Sequence, residues 1–66
     1  MAHLVTFEAA ARNGSFTRAA DELSISQPAI SHAMRELESD LGVSLFERRH
    51  KGVEATDAGR YLLEQV

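Results

Sequence analysis

The stretch FTRAADELSISQPAISHAMRELESDLG, residues 16–42, decides the fold of this chain, because it holds two helical patterns that only three residues separate. In the first pattern, FTRAADEL, apolar residues recur at i, i+3, i+4 and i+7, and charged residues fall between them. Ser15 or Thr17 can cap this segment, since a hydroxyl there accepts a hydrogen bond from a free backbone N–H. The pattern predicts a helix over residues 16–23 whose charged side chains face water.

The second pattern predicts a longer helix over residues 27–41. Ser26 is its expected N-cap, and Pro28 lies in the first turn. Proline is tolerated there because the N–H groups of the first turn have no partner within the helix. Gly42 is a typical stop signal. The apolar residues recur at i, i+4, i+7 and i+11 and are Ile30, Met34, Leu37 and Leu41.

The opposite face of this second helix is polar but poor in charge, which indicates contact with another molecule. Helical residues follow one another at about 100°, so Ser31 flanks this face and Gln27 stands at its leading end. The residues that point directly away from the apolar stripe are Pro28, His32, Arg35 and Ser39.

A short helix, a three-residue turn and a second helix together form the helix-turn-helix unit. Two helices that cross at close range need a small residue at the crossing, and Ala20 supplies it. We expect Ile25 to be the apolar side chain that ties the turn down, with Ser24 where such units often have glycine. The unit presents its second helix, N-terminus first, to the major groove of DNA, which is about 12 Å wide.

The flanking segments complete one mainly α domain over residues 1–66. An apolar stripe followed by Asn-Gly predicts a first helix over residues 3–12. After Gly42, VSLFERRHKGVEAT predicts a two-stranded wing over residues 46–55 with Lys51 and Gly52 at the turn. Thr56 then opens a last helix, residues 56–66. The expected fold is a winged helix-turn-helix with a three-helix core and the start of a C-terminal linker helix.

The last helix has apolar residues over a wider arc than a thin domain can bury. A helix that is apolar on more than one side usually has a second neighbour. Either the wide arc is an effect of where the chain ends, or the helix continues and pairs with another subunit. In the second case the dimerisation residues are Tyr61, Leu62, Leu63 and Val66.

Length and composition limit the possible functions. The 66 residues contain no cysteine, which excludes disulfides, Cys-based zinc sites and a thiol nucleophile. No membrane span or export signal is evident, so we expect a soluble cytoplasmic protein. The net charge of -3 disfavours DNA, whose binding depends on phosphate neutralisation, but RRHK concentrates three of the seven Lys and Arg residues.

The candidate contact residues have side chains suited to DNA. The amide of Gln27 has a donor and an acceptor, which fits adenine, and Pro28 offers an apolar surface to a thymine methyl. The hydroxyl of Ser31 can donate or accept, and Arg35 or His32 can reach phosphate or guanine. The wing adds three cations that can neutralise phosphates or enter a narrow minor groove: Arg48, Arg49 and Lys51.

No catalytic or metal site is expected. The three histidines, His3, His32 and His50, lack the spacing of metal ligands. Ser31, His32 and Asp40 do not form a triad, because the first two are adjacent on a helix and point about 100° apart. We therefore expect no enzyme activity and no cofactor.

Four motifs in combination, GSFTRAA, SQPAIS, LE..LGVSLFERR and T.AG, resemble the N-terminal DNA-binding domain of LysR-type transcriptional regulators over almost the whole chain. The resemblance implies a bacterial regulator whose effector-binding domain, which senses a small molecule, is absent from this chain. It implies homodimers, and tetramers of the full-length protein, formed through the long helix that begins at TDAGRYLLEQV. It also implies binding to interrupted inverted repeats in double-stranded DNA, on the bacterial nucleoid.

The resemblance also assigns roles to single residues. Its base-reading positions correspond to Gln27, Pro28 and Ser31, and we add His32. The family commonly has arginine where this chain has His32, and histidine there would make DNA binding pH-dependent, since an ordinary imidazole gains its charge only below about pH 6.5. The resemblance and the charges of the chain together indicate which residues lie near the DNA backbone. These residues are Thr17, Arg18, Ser26, Arg35, Arg48, Arg49 and Lys51.

Two other interpretations stay open on sequence alone. One is a protein-interaction module whose last helix docks a partner, with the acidic net charge explained by the absence of DNA. The other is a different winged-helix regulator, such as a molybdate-sensing type. If DNA is the partner, the N-terminus of the second helix of the unit should share one face with Arg35, Arg48, Arg49 and Lys51.

Overall fold

The computed structural model describes residues 2–66, which form four helices and one antiparallel pair of strands. The predicted winged helix-turn-helix is confirmed, with a three-helix core, a two-stranded wing and a fourth helix. In chain order the elements are α1 (Ala2–Asn13), α2 (Phe16–Leu23), α3 (Gln27–Leu41), β1 (Phe46–Arg49), β2 (Gly52–Ala55) and α4 (Asp57–Gln65).

Three hydroxyl side chains start the last three helices. Ser15, rather than Thr17, caps α2, since its Oγ accepts from the backbone N–H of Arg18 at 3.2 Å. Ser26 caps α3, as predicted. Thr56 caps α4 and also donates its hydroxyl hydrogen to the carbonyl of Ser44 at 2.6 Å, which joins this helix to the segment before the wing.

The turn between α2 and α3 is held by its backbone rather than by an apolar side chain. Contrary to the prediction, Ile25 is 43% exposed. Ser24 adopts the left-handed conformation, with φ of 59°. The N–H of Ser24 donates to the carbonyl of Asp21, and the N–H of Ile25 donates to that of Ala20 at 3.0 Å. These two bonds close the end of α2 and direct the chain into α3.

The core lies where α1, α2 and α3 meet the wing. Small residues, including Ala20 as predicted, are buried and let the helices approach closely. Leu41 is 49% exposed, so its predicted place in the core is wrong. It is the last residue of α3, and the chain leaves the helix at Gly42. The largest fully buried side chains are Phe7, Ile30, Met34 and Leu45.

The wing is a hairpin in which Phe46 pairs with Ala55 and Arg49 pairs with Gly52. Its turn is therefore at residues 50–51, one residue earlier than predicted. The ring of Phe46 lies 5.4 Å from the rings of both Phe7 and Phe16, measured between centroids. These aromatic contacts hold the wing against α1 and α2.

Arg12 connects α1 to α2 through an exposed ion-pair network. Its guanidinium donates to both carboxylate oxygens of Glu8 and to both of Glu22, with distances of 2.5 to 3.1 Å. Asn13 donates to Glu22 as well, at 3.1 Å. The hydrogen bonds from Arg12, and then that from Asn13, lower the pKa of Glu22 to about 2.

This network predicts a stability that declines in acid. Because the folded pKa of Glu22, about 2, lies below its ordinary value of 4.5, its contribution is present above about pH 4.5 and is lost as the pH falls towards 2. Arg12→Met should therefore lower the melting temperature most at neutral pH, and the difference from the original chain should shrink in acid. Circular dichroism melts from pH 2 to 7 measure this.

Arg18→Met is the matched control for that experiment. Arg18 is exposed on α2, and within residues 2–66 no ion pair joins it to a carboxylate. Its melting-temperature difference should stay small and change little with pH. An Arg12→Met difference that was the same at pH 2 and at pH 7 would contradict the assigned role of Glu22.

Candidate nucleic-acid interface

The outer face of α3 is free, as the spacing predicts. Pro28, His32, Arg35 and Ser39 are all exposed, and Gln27 at the first helical position is half-buried. The N-terminus of a helix presents backbone N–H groups that favour anions such as phosphate. The helix therefore offers a polar leading end and a polar outer face to a partner.

Ser31 does not flank the exposed outer face of α3 as the helical spacing predicts. Its side of α3 is buried, with only 8% of the residue exposed, so its predicted place beside the free face is wrong. Its Oγ accepts a hydrogen bond from Nε2 of Gln27 at 2.7 Å. Ser31 lies on the edge of α3 that faces Phe16 of α2 and, across a small cavity, the wing. The period of a helix alone does not reveal which edge other segments approach.

The wing lies directly beside α3. An open cavity of about 240 Å³ between them is lined from α3 by Ser31 and Arg35, and from the wing by Arg48 and Val53. Arg35 and Arg48 therefore face the same space, although they are 13 positions apart in sequence. Within residues 2–66, neither arginine forms an ion pair with a carboxylate.

Glu38 fixes the wing to α3, a role that sequence reasoning missed. Its carboxylate accepts from the backbone N–H groups of Leu45 at 2.7 Å and Phe46 at 3.3 Å. The only hint of this role in the sequence is that Glu38 is an acidic residue about one turn before the end of α3. Nothing in its spacing indicates that the following strand returns to it.

The two wing arginines lie on opposite faces of the hairpin. Successive residues of a strand alternate between faces, so Arg48 is on the side of α3 and Arg49 is on the other side. Arg49 contacts Glu54 at 2.8 Å and Glu47 at 3.1 Å. The hydrogen bond to Glu54, and then the two carboxylate charges, raise the pKa of Arg49. The basic cluster RRHK is therefore not a single patch, although Lys51 is exposed at the turn.

His32 shares a carboxylate with α1. Its Nε2 lies 3.4 Å from Glu36 within α3, and Nε2 of His3 lies 3.0 Å from the same carboxylate. Across residues 2–66 no group of three or more His, Asp or Glu side chains is arranged to hold a metal ion. His50 is exposed in the turn of the wing.

The remaining residues predicted for the DNA backbone lie at the starts of two helices. Thr17 and Arg18 are exposed in the first turn of α2. Ser26 is exposed as well, and its Oγ accepts from the N–H of Ala29 at 3.2 Å.

The four residues predicted for dimerisation divide into two pairs. Leu62 and Leu63 are half-buried and pack on the core of the domain. Tyr61 and Val66 are 67% and 54% exposed, so the wide apolar arc of α4 does exceed what one domain buries. An apolar groove of about 400 Å³ lies between α1 and the end of the chain, with lining residues that include Leu4, Val5 and Val66.

None of the helices within residues 2–66 has both the length and the apolar character needed to span a membrane.

A family model described as "Bacterial regulatory helix-turn-helix protein, lysR family" matches residues 1–60. The RuBisCO operon transcriptional regulator of Allochromatium vinosum is 58% identical over 57 residues, which are 86% of this chain and 19% of that protein. The chain thus spans about a fifth of the length of the curated relatives it matches.

Two solved structures are similar to the whole fold. The crystal structure of the CbnR_DBD-DNA complex has a TM-score of 0.92 and 48% sequence identity, and the match covers 96% of this chain and 72% of that one. The BenM_DBD/catB site 1 DNA complex has a TM-score of 0.91 and 40% identity, with coverage of 96% and 71%. Both similar proteins were solved with DNA bound.

Proposed function

Because the chain belongs to the lysR family of bacterial regulatory helix-turn-helix proteins, we propose that it binds double-stranded DNA sequence-specifically as the DNA-reading domain of a transcription regulator. The observation that carries the proposal is the free outer face of α3 beside Arg35 and Arg48, which line one cavity between helix and wing. In the complex, α3 lies in the major groove and the wing, residues 46–55, lies on the backbone or in the minor groove. Family membership supports this function over that of a molybdate-sensing regulator.

The residues divide by the chemistry they offer. Gln27, Pro28 and His32 face base edges from the leading end and outer face of α3, and Ser31 acts with them. The contacts to phosphate come from exposed side chains at the starts of α2 and α3, on the outer face of α3 and on the wing. This second set is Thr17, Arg18, Ser26, Arg35, Arg48, Arg49 and Lys51.

The net charge of -3 does not oppose this function. Arg12 pairs with Glu8 and Glu22 and offsets one of their two charges, and the Glu38 carboxylate is directed at the backbone N–H groups of Leu45 and Phe46. Arg35 and Arg48 face one space, so local positive charge and global negative charge coexist.

We propose that residues 1–66 are one domain of a longer regulator that acts in the cytoplasm, at the nucleoid, and has no enzyme activity. We propose that it forms a homodimer, and a tetramer when full-length. Exposed Tyr61 and Val66 on the last helix support pairing with a second copy. A dimer would match an interrupted inverted repeat, because protein symmetry mirrors operator symmetry. A small-molecule effector would act only through a domain outside this chain.

A salt titration tests the proposal. Binding to fluorescently labelled promoter duplexes from a bacterial genome should weaken with salt, with a log–log slope of about -0.9 for each neutralised phosphate and several units in all for a dimer. A slope near zero would show that phosphates are not contacted and would favour the protein-interaction module instead.

The wing predicts unequal effects for its two arginines. Arg48→Ala should reduce the magnitude of the salt slope by about 0.9 for each copy bound, about 2 for a dimer, and weaken binding to every duplex alike, because a phosphate contact carries no sequence information. Arg49→Ala should change the slope less, since its guanidinium already contacts Glu47 and Glu54. Equal slopes for the two variants would contradict this, because they would mean that Arg49 leaves its carboxylates when DNA binds.

A further inference from the structure

We propose that Ser31 is a positioning residue that selects which base Gln27 reads. Ser31 would hold one N–H of the Gln27 amide, so that the amide presents one donor and one acceptor outward and favours adenine over guanine. The inference rests on the proposed DNA binding and adds a specificity determinant to it.

The geometry of the pair is the first support. Gln27 is the first residue of α3 and Ser31 lies one turn later on the same side, so their side chains can meet. Nε2 of Gln27 lies 2.7 Å from Oγ of Ser31, which is at the short end of the usual range for N–H···O bonds. The hydrogen bond thus reaches from a half-buried amide at the leading end of the helix to a buried acceptor.

The burial of Ser31 makes that acceptor a fixed one. Only 8% of the residue is exposed, and it shares the wall of its cavity with Met34 and Phe46. A single rotatable bond sets the position of the serine oxygen, and the burial of Ser31 limits its rotation. Gln27, by contrast, has a flexible side chain whose amide would otherwise take several orientations. The buried hydroxyl therefore orients the half-buried amide of Gln27.

The hydrogen-bonding capacity of the amide sets the base preference. A glutamine amide has two N–H donors and one carbonyl acceptor. With one N–H held by Ser31, the outward edge has one donor and one acceptor, which match N7 and the amino group of adenine. Guanine presents two acceptors on the same edge, N7 and O6, and the outward carbonyl of Gln27 opposes them. A well-formed bidentate contact of this kind discriminates against the wrong base by about tenfold or more.

Removal of the hydroxyl releases the amide. In Ser31→Ala the amide can turn over and direct both N–H groups at guanine, so the preference for adenine should fall from about tenfold towards parity. Ser31→Thr keeps the oxygen, and the adjoining cavity of about 240 Å³ has room for the added methyl group. Threonine should therefore restore the preference.

Selection from a random duplex library tests the proposal. Four proteins of residues 1–66 would be compared: the original chain and the variants Gln27→Ala, Ser31→Ala and Ser31→Thr. The duplexes that each protein binds would be sequenced. The position that loses its base preference in Gln27→Ala is the one that Gln27 reads. There we expect adenine for the original chain and for Ser31→Thr, and adenine and guanine alike for Ser31→Ala. This loss of selectivity should exceed any change in affinity for unselected duplex DNA.

Ser39→Ala is the matched control, because Ser39 is an exposed serine near the end of the same helix. It should keep the preference of the original chain, and circular dichroism verifies that every variant is folded. Guanine at the Gln27 position in the original chain, or an adenine preference that survives in Ser31→Ala, would overturn the proposal. So would a Gln27→Ala pool identical to the original one. If the original chain instead enriched no sequence and its binding did not depend on salt, DNA binding itself would be wrong.

Discussion

Phe7→Ala is expected to destabilise the domain by about 3–5 kcal/mol, the usual cost of removing a buried aromatic ring. Phe7 is fully buried, and its ring lies 5.4 Å from that of Phe46 in the wing. A domain of this size has a total stability of only about 3–10 kcal/mol. The substitution should therefore remove most of the folded population at 37 °C and detach the wing from the helices.

Urea unfolding followed by circular dichroism measures this effect, and Val5→Ala is its control. Val5 is on the same helix but is 60% exposed, so its loss should change the free energy of unfolding by less than about 0.5 kcal/mol. A Phe7→Ala cost below about 1.5 kcal/mol would mean that the site collapses around the missing ring and that the wing does not depend on it.

Gly59→Ala is expected to destabilise the domain by about 2 kcal/mol, although alanine is the better helix former. Gly59 is buried in α4, and a methyl group there would overlap the carbonyl oxygen of Leu45 and lie 3.3 Å from the side chain of Ala55. That carbonyl also accepts the N–H of Thr56 at 3.0 Å, so it cannot move without a second loss. Overpacking costs about 3 kcal/mol here, and the helix propensity of alanine returns about 1 kcal/mol.

Gly42→Ala separates this steric effect from backbone strain. Gly42 has a φ of 72°, and a methyl group added there would meet no neighbouring segment within 4 Å. Its substitution should therefore cost only about 1 kcal/mol, through the left-handed backbone. Hydrogen exchange gives a local measurement, since Gly59→Ala should speed exchange in residues 57–65 and Gly42→Ala should not. Equal protection of α4 in both variants would contradict the close approach of Gly59 to Leu45.

Much of the local structure could be predicted from the sequence. The bounds of α2 and α3 match the prediction to the residue, and Ser26 and Gly42 begin and end α3 as expected. Caps and helical periods arise from residues that are no more than about four positions apart, so a short window contains the interactions that determine them.

The errors fall where segments distant in sequence meet. The sequence predicts a buried Ile25, but backbone hydrogen bonds already hold the turn. Leu41 continues the apolar period of α3, yet the core ends before it. The apolar stripe of a helix indicates which side faces the core, but it does not indicate how far the neighbouring segments extend along that side.

The sequence by itself determined the helix-turn-helix, the wing and the residues whose chemistry suits DNA. Only the tertiary structure decided how those residues are oriented: Ser31 is buried and bonded to Gln27, and Arg49 contacts Glu47 and Glu54 while Arg48 faces α3. The physical reason is range. A cap or a period is settled between near neighbours, whereas burial and ion pairing depend on whichever segment packs over a side chain once the chain has closed on itself.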